Sequence, residues 1–263
     1  MYAINLNDEY VRLLANTRNP TYIKTYRDLK DKPSSIPVIF RSMAQRKTVN
    51  LCKQQERDYY YIDTGYLGIS HYKKWHRVVK NGVQHSKINY DMPYDRFKNL
   101  SNSKPYLKFL GWKKDGKSIL LVTPSEKPCK FYGIQKEEWV NTTIQTLKKH
   151  TDRPIILRDK KPRQERIKNT IYNQIQVDDV FAVVVYNSIA AVEAIGYGIP
   201  VFTTALTAAD EFCKKDLSEI ENPLYENEEK IEKWQHWLAY CQYNTNEMKD
   251  GTVFKLIKEY DLK

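Results

Sequence analysis

The chain has 263 residues, of which 41% are hydrophobic, enough for one large α/β domain or two small ones. It contains no run of about 18 apolar residues and no basic leader before an apolar stretch, so we expect a cytoplasmic protein without a membrane span or secretory signal. Lysine and arginine number 43 against 32 aspartates and glutamates. The resulting charge of +11, with 20 tyrosines, favours a polyanionic partner such as nucleic acid over a generic basic surface.

The cysteines and histidines do not form a metal-binding pattern. The four cysteines lie far apart in the sequence, and the five histidines lack the spacing of metal ligands. We therefore expect reduced, buried thiols and no structural metal. The sequence leaves open a divalent ion beside a bound diphosphate.

The first half of the chain predicts short strands joined by polar segments. Residues 36–43 (IPVIFRSM) and 58–68 (DYYYIDTGYLG) are apolar or aromatic runs bounded by turn residues. Residues 44–57 have the spacing of a short crossover helix. The two predicted strands therefore present Arg41 and Asp63 near their ends.

A basic and aromatic cluster follows the second strand, ahead of an Asn81-Gly82 pair that predicts a hairpin turn. Its side chains could track phosphates while a ring stacks on a flipped base, or they could belong to an ordinary solvated hairpin. The candidate nucleic-acid contacts in this cluster are Lys73, Lys74, Trp75 and Arg77, with His76 and Lys80 beside them. Further candidates for DNA phosphate or donor contacts follow the earlier strand: Arg41, Gln45, Arg46 and Lys47.

From residue 113 onward the pattern changes to alternating strands and helices. Nearly continuous apolar strands separated by helices predict a parallel sheet buried on both faces, a Rossmann-like half. The predicted strands are 118–123, 154–158, 181–186 and 200–204, and the predicted helices are 136–150, 163–174 and 188–195. The polar segment 101–117 indicates an interdomain connection, so we divide the chain into residues 1–112, 113–240 and a returning C-terminal helix, 241–263.

Residues 186–202 (YNSIAAVEAIGYGIPVF) predict a ligand site at the end of a strand. Ligands of open parallel sheets bind beyond the carboxyl ends of the strands, where helix amino termini attract anions. Backbone amides from Asn187 to Ala190 could hold a diphosphate with Ser188 as the helix N-cap, and Glu193 could accept hydrogen bonds from ribose hydroxyls. The alternative is an ordinary crossover with a capping serine and a surface glutamate.

Two other strand ends supply candidate contacts to the same ligand. Arg158 ends the strand 154–158, with Lys160 and Lys161 just beyond, and its guanidinium could bind phosphates or belong to a solvated strand end. Ser125 and Lys127 follow the strand 118–123 and could contact phosphate, or Ser125 could simply cap a helix.

The pattern Ser-x-x-x-x-Glu-Ala-x-x-x-Gly-x-Pro-Val, residues 188–201, resembles the nucleotide-sugar site of GT-B glycosyltransferases and of related sugar-nucleotide epimerases. The resemblance implies an α/β, GT-B-like fold with two Rossmann-like halves facing a cleft and C-terminal helices packing back. It also implies that the serine end holds diphosphate and that the glutamate binds ribose.

A broader resemblance rests on segments such as YYYIDTGYLG, ILLVTPSEKPCKFYG and WLAYCQYNTNEMKDGT. They are similar to a family of phage-encoded proteins allied to phage DNA glycosyltransferases. This similarity implies transfer of a hexose from a UDP-sugar, UDP-glucose above all, to a hydroxymethylated pyrimidine such as 5-hydroxymethylcytosine in double-stranded DNA. We expect a monomer in the host cytoplasm. The chain is much shorter than the well-studied enzymes, which leaves its acceptor open.

Sugar transfer by inversion needs a base that takes the proton of the acceptor hydroxyl. Asp63 is the predicted base because an aromatic strand delivers it to a glycine-containing turn, although an Asp-Thr-Gly turn former is the alternative. His71 and His76 are weaker candidates for the base. Two other functions stay open: a glycosyltransferase acting on a cell-surface glycan or small acceptor, and a non-catalytic nucleotide-binding or DNA-binding protein.

Overall fold

The computed structural model describes residues 1–5, 7–67, 75–104, 107–160 and 170–263. These residues form two compact units, the first from Met1–Asn89 and Leu238–Lys263, and the second from Tyr90–Trp237. The units therefore divide at residues 89 and 90, and residue 112 lies within the second unit. Among the described residues, no helix is both long and apolar enough to cross a bilayer.

The first unit contains a six-stranded sheet that is parallel over most of its width. Its strands are β1 (Tyr2–Ile4), β2 (Thr21–Ile23), β3 (Val38–Arg41), β4 (Tyr59–Thr64), β5 (Trp75–Lys80) and β11 (Gln242–Asn244). In the order β11-β5-β4-β3-β1-β2, the last four are parallel, and β5 pairs antiparallel with β4 and β11. The helices of this unit include α1 (Glu9–Asn16), α2 (Arg46–Gln54), α9 (Thr245–Asp250) and α10 (Thr252–Glu259).

Helix α1 shows how the sequence builds this unit. The Asp8 carboxylate accepts hydrogen bonds at 3.1 Å from the backbone N–H groups of Tyr10 and Val11, which satisfies two donors at the helix start. Val11, Leu14 and Ala15 are fully buried. Their spacing places them on one face of the helix, so this face packs inward.

The predicted strands and crossover helix of the first half are confirmed as β3, β4 and α2. The predicted Asn81-Gly82 hairpin is wrong, because the antiparallel partner of β5 is the preceding strand β4. Asn81 instead ties the end of β5 to the start of β4. Its Oδ1 accepts a hydrogen bond from the Tyr59 backbone N–H at 2.9 Å, and its own N–H donates to the Tyr59 carbonyl oxygen at 2.9 Å.

The loop that leads into β3 is organised by a buried guanidinium. Arg57 is 2% exposed and comes just before β4. Its Nη1 donates to the carbonyl oxygens of Pro33 at 2.7 Å and Ile36 at 2.6 Å, and its Nη2 donates to the carbonyl oxygen of Lys32 at 2.7 Å. These bonds satisfy backbone acceptors that no helix or strand pairs.

The second unit contains a five-stranded sheet in which every neighbouring pair is parallel. Its strands are β6 (Ser118–Val122), β7 (Ile155–Arg158), β8 (Val180–Val185), β9 (Val201–Thr203) and β10 (Cys213–Lys214), in the order β10-β9-β8-β6-β7. Its helices include α3 (Asp95–Ser103), α4 (Glu126–Tyr132), α5 (Lys136–Leu147), α6 (Ile171–Val177) and α7 (Ala190–Gly196). Helix α8 (Glu228–Tyr240) contributes residues to both units.

Burial of the central strands confirms the predicted parallel sheet. Every residue of β6 and β8 is buried, and their side chains pack with Leu147 of α5, Phe202 of β9 and Ile220. A strand covered on both faces must be apolar at successive positions, which is the pattern in the sequence. Both units are thus mixed α/β structures with sheets rich in parallel strands. Residues 163–169 of a predicted helix lie outside the described residues.

Gly198 makes the close turn between α7 and β9. Its φ of 82° lies in the left-handed region, and a Cβ at this position would collide with the carbonyl oxygen of Gly111. Glycine is therefore required here both by the backbone conformation and by the space.

Candidate functional site

The carboxyl ends of four strands in the second unit lie in register. Val122 of β6 pairs with Arg158 of β7 and with Val185 of β8, and Val185 pairs with Thr203 of β9. The segments that follow these residues therefore leave the sheet along one edge. Open parallel sheets bind ligands at this edge, because adjacent connections diverge there to opposite faces.

Arg158 and Glu193 interact electrostatically at this edge, and both are half-buried. Burial lowers the pKa of Arg158, and the charge of Glu193 opposes that change. Burial raises the pKa of Glu193 to about 7, and the charge of Arg158 opposes this rise. Near neutral pH the Glu193 carboxyl therefore exists in both protonation states, and either can hydrogen-bond to a hydroxyl group. The Arg158 guanidinium also donates from Nη1 to Oε1 of Gln174 in α6.

Asn187 supplies a buried hydrogen-bond donor after β8, at the same edge of the sheet. The residue is only 6% exposed, and its Nδ2 has no hydrogen-bond partner in the part of the chain that the structure describes. An unsatisfied buried amide costs free energy, so this donor is suited to a ligand oxygen. The predicted Ser188 cap is wrong, because the N-cap of α7 is Ile189 and this helix start has no side-chain capping bond. Ser188 Oγ instead accepts a hydrogen bond from the Ala190 N–H at 3.2 Å in the turn before the helix.

The loop after β6 holds the two remaining predicted contacts to the ligand. Ser125 precedes α4, and its carbonyl oxygen accepts a hydrogen bond from the Cys129 N–H at 3.2 Å. Its side chain forms no capping hydrogen bond. Lys127 is exposed on the first turn of α4. Their contact with phosphate stays a prediction.

Asp63, the predicted base, lies in β4 of the first unit. Its Oδ2 accepts hydrogen bonds from the Tyr61 hydroxyl at 2.6 Å and from Arg77 Nη2 at 3.3 Å, and its Oδ1 accepts one from the Thr64 N–H at 2.8 Å. Burial alone would raise the pKa of Asp63, but Arg77 and these hydrogen bonds outweigh it and hold the pKa below its usual value. Asp63 is therefore ionised at neutral pH. Its side chain is 28% exposed, and its catalytic role stays a prediction.

The structure corrects the predicted surface position of Arg77. Arg77 is 3% exposed, because β5 lies between β4 and β11 and the side chain turns toward Asp63 and the Thr64 carbonyl oxygen, which accepts its hydrogen bond at 2.6 Å. A guanidinium buried in this way is not presented to a DNA phosphate. His76, a weaker candidate for the base, is 1% exposed, and its ring stacks on Tyr10 with centroids 3.7 Å apart.

The other predicted nucleic-acid contacts differ in exposure. Arg41 pairs with Asp8 at 3.1 Å, and Trp75 is half-buried at the start of β5. Arg46 and Lys47 are exposed in the first turn of α2. Four of the residues singled out in the sequence lie outside the described residues: Lys73, Lys74, His71 and Lys161. DNA contact by any of these residues stays a prediction.

Comparison with known proteins places this geometry in a known fold. No family model and no curated protein sequence matches the chain. The structure is similar to the β-Kdo 2,7-transferase of Thermosulfurimonas dismutans KpsC, with a TM-score of 0.56 and 11% identity over 98% of this chain and 99% of that chain. The chain shares the fold of this transferase. The β-Kdo 2,4-transferase of the same KpsC matches with a TM-score of 0.48 and 11% identity over 97% of each chain.

Within this glycosyltransferase fold, the sequence did not reveal a second polar group at the edge of the sheet. Asp159 accepts a hydrogen bond from the Thr123 hydroxyl and forms an ion pair with Lys136 at 2.7 Å. These two contacts join the ends of β6 and β7 to the start of α5. In the sequence, the only indication that Asp159 belongs to this edge was its position directly after Arg158. Gln174, which accepts from Arg158, had no signal, because it lies in the middle of a helix. In the described part of the chain, no group of three or more His, Cys, Asp or Glu side chains could hold a metal ion.

Proposed function

We propose that this protein transfers a sugar from a nucleotide-activated donor to a hydroxyl group of an acceptor. The observation that carries the proposal is the interaction of Arg158 with Glu193 at the carboxyl edge of an all-parallel sheet, where the buried Asn187 amide follows the neighbouring strand β8. This edge is where such sheets bind nucleotides. The fold shared with a Kdo transferase over nearly the whole chain supports the same function.

The three side chains offer complementary contacts to a nucleotide sugar. The Arg158 guanidinium and the Asn187 amide donate hydrogen bonds, so they suit phosphate oxygens. The Glu193 carboxyl accepts hydrogen bonds from vicinal ribose hydroxyls in its ionised form and keeps an acceptor oxygen when protonated. In this proposal, four more groups contact the nucleotide sugar: Ser125, Lys127, Ser188 and the Ala190 amide. A UDP-sugar, with UDP-glucose first, is the proposed donor.

In the transfer step, the acceptor oxygen forms a bond to the anomeric carbon as the bond from that carbon to the phosphate oxygen breaks. The bonding electron pair leaves with the phosphate oxygen, and Arg158 offsets the charge that develops there. Asp63 is proposed to take the proton of the acceptor hydroxyl. Asp63 is ionised at neutral pH, and because its pKa is held below the usual value it is a weaker base than an ordinary aspartate, so its role depends on position.

The acceptor has two candidates, each with one observation in its favour. A saccharide hydroxyl is favoured by the burial of Arg77, since this acceptor needs no contact with DNA phosphates. A hydroxymethylated pyrimidine in double-stranded DNA is favoured by the net charge of +11 and by the exposed cations Arg46 and Lys47. We place the saccharide first, because Arg77, a main candidate for DNA contact, is buried.

Binding and turnover test the proposal separately. Calorimetry should detect binding of UDP or another nucleotide, and Glu193→Ala should weaken it by about 1 to 3 kcal/mol, the range for hydrogen bonds to charged groups. Radiolabelled UDP-sugars and nucleotide-activated Kdo should then be incubated with oligosaccharides and with hydroxymethylpyrimidine DNA. Label in the oligosaccharide or in the DNA identifies the acceptor. Binding without transfer to either would indicate a non-catalytic nucleotide-binding protein.

A further inference from the structure

Three aromatic side chains meet at the carboxyl edge of the second unit's sheet. Tyr132 ends α4, Trp139 lies in the first turns of α5, and Tyr186 directly follows β8. The Tyr186 ring centroid lies 5.5 Å from that of Tyr132 and 5.8 Å from that of Trp139, with interplanar angles of 70° and 82°. These edge-to-face contacts make one cluster, the aromatic group, in which all three residues are half-buried.

The aromatic group is held in place by polar bonds to the segment after β9. Trp139 Nε1 donates to Thr204 Oγ1 at 3.0 Å. The Tyr186 carbonyl oxygen accepts hydrogen bonds from Thr203 Oγ1 at 2.8 Å and from the Ala205 N–H at 2.9 Å. These bonds fix the Trp139 ring and the backbone of Tyr186 without a ligand, which lowers the entropic cost of binding a flat molecule there.

Packing alone does not explain the aromatic group. The core beneath it is built from side chains such as Ile119, Leu121 and Val184, and only Trp139 of the three rings packs against that core. Tyr186 is also the residue directly before Asn187, whose buried amide lacks a partner in the described part of the chain. The aromatic group and the buried amide of Asn187 therefore follow from successive residues at the end of β8.

We propose that the aromatic group is the surface on which the nucleobase of the donor stacks. This inference rests on the proposed function, since it assigns one part of the donor to unassigned residues of the same edge. Every nucleobase has a flat π-face, so aromatic rings bind it with little regard for its hydrogen-bonding pattern. The aromatic group would therefore supply affinity for the base, while Arg158, Asn187 and Glu193 contact the ribose phosphate.

Calorimetry with UMP, CMP and ribose 5-phosphate separates the base from the rest of the ligand. Both nucleotides should bind wild-type protein more tightly than ribose 5-phosphate does. Trp139→Leu and Tyr132→Leu should each weaken nucleotide binding by about 5- to 150-fold, the range expected for loss of one base-stacking contact. Neither variant should change the affinity for ribose 5-phosphate, and Trp139→Phe should keep most of the nucleotide affinity.

Tryptophan fluorescence gives a second readout that needs no large-to-small substitution. Stacking of a base on Trp139 should quench emission when UMP is added, and Trp139→Phe should abolish that quenching. Trp112→Phe is the matched control, because Trp112 also lies in the second unit, and its Nε1 is bound to the Glu226 carbonyl oxygen at 2.8 Å. This variant should retain the quenching.

The outcomes distinguish this inference from the function on which it rests. Nucleotide binding that Glu193→Ala weakens, but that the Trp139 and Tyr132 variants leave unchanged, would overturn the stacking surface and keep the donor site. Quenching that persists in Trp139→Phe would also overturn it. If neither the nucleotides nor ribose 5-phosphate bind wild-type protein, the proposed donor site fails and this inference fails with it.

Discussion

The raised pKa of Glu193 predicts that this residue makes the second unit less stable as pH increases. The pKa rises from an ordinary 4.5 to about 7 in the folded protein. Between these values the folded protein holds a proton that the unfolded chain has released, so stability falls as pH rises through this window. Glu193→Gln removes the titration, and the variant should gain stability relative to wild type over the same range.

The magnitude follows from the size of the shift. Each pKa unit corresponds to about 1.4 kcal/mol, so the full shift would give about 3 kcal/mol. Because Glu193 keeps some contact with solvent, we expect about 1 to 3 kcal/mol between pH 5 and pH 8. This loss of folding stability is typical of a carboxyl group that serves to bind a ligand rather than to stabilise the fold.

Urea unfolding followed by tryptophan fluorescence measures this difference. Four of the five tryptophans lie in the second unit, Trp112, Trp139, Trp234 and Trp237, so the signal reports mainly on that unit. Wild type, Glu193→Gln and Glu138→Gln should be compared at pH 5 and pH 8, with exposed Glu138 as the control. The reasoning is refuted if the free-energy difference between wild type and Glu193→Gln is the same at both pH values.

Four other outcomes are expected. Gly198→Ala should lower the melting temperature of the second unit, because the added Cβ would collide with Gly111. Gly196→Ala should be tolerated, because its Cβ would meet only the far end of a side chain. Equal effects of the two variants on the melting temperature would contradict this. Arg57→Lys should cost the first unit about 2 kcal/mol in urea unfolding, because an ammonium group cannot serve the same carbonyls; an unchanged midpoint would argue against it. Asp63→Asn should lower kcat about 100- to 10,000-fold with donor affinity unchanged, and turnover within a few-fold of wild type would remove Asp63 as the base. If DNA is the acceptor, its affinity should fall with salt with a log-log slope of about 0.9 per phosphate contacted, and a salt-independent affinity would favour the saccharide.

The sequence predicted the second unit better than the first for a physical reason. Strands such as β6 and β8 are covered on both faces, so each leaves a continuous apolar run that can be recognised without its neighbours. Strands β1, β2 and β11 have three residues each, too few to show a period. Strand β11 also joins the first unit from the far end of the chain, and nothing local to it reveals its partner.

The candidate site was predicted residue by residue, but the contacts between its residues were not. Glu193 and Arg158 were each proposed as ligand contacts, whereas their electrostatic interaction depends on a fold that brings two residues 35 positions apart to one edge of the sheet. The prediction that Arg77 is exposed to nucleic acid was wrong because it considered the strand β5 without its neighbours. A basic residue in an alternating strand is usually exposed, and the burial of Arg77 follows from contacts that are distant in the sequence, with the Asp63 carboxylate and the Thr64 carbonyl oxygen.

The guanidinium of Arg57 has a consequence for how this protein can change over evolution. It binds the loop 32–36 only through carbonyl oxygens, and every amino acid has one. Side chains in that loop can therefore be exchanged without loss of the bonds. An inserted or deleted residue would move the carbonyls out of reach of a rigid, planar group fixed 21 to 25 positions further along the chain. Homologues should accordingly conserve the length of this loop more strictly than its composition.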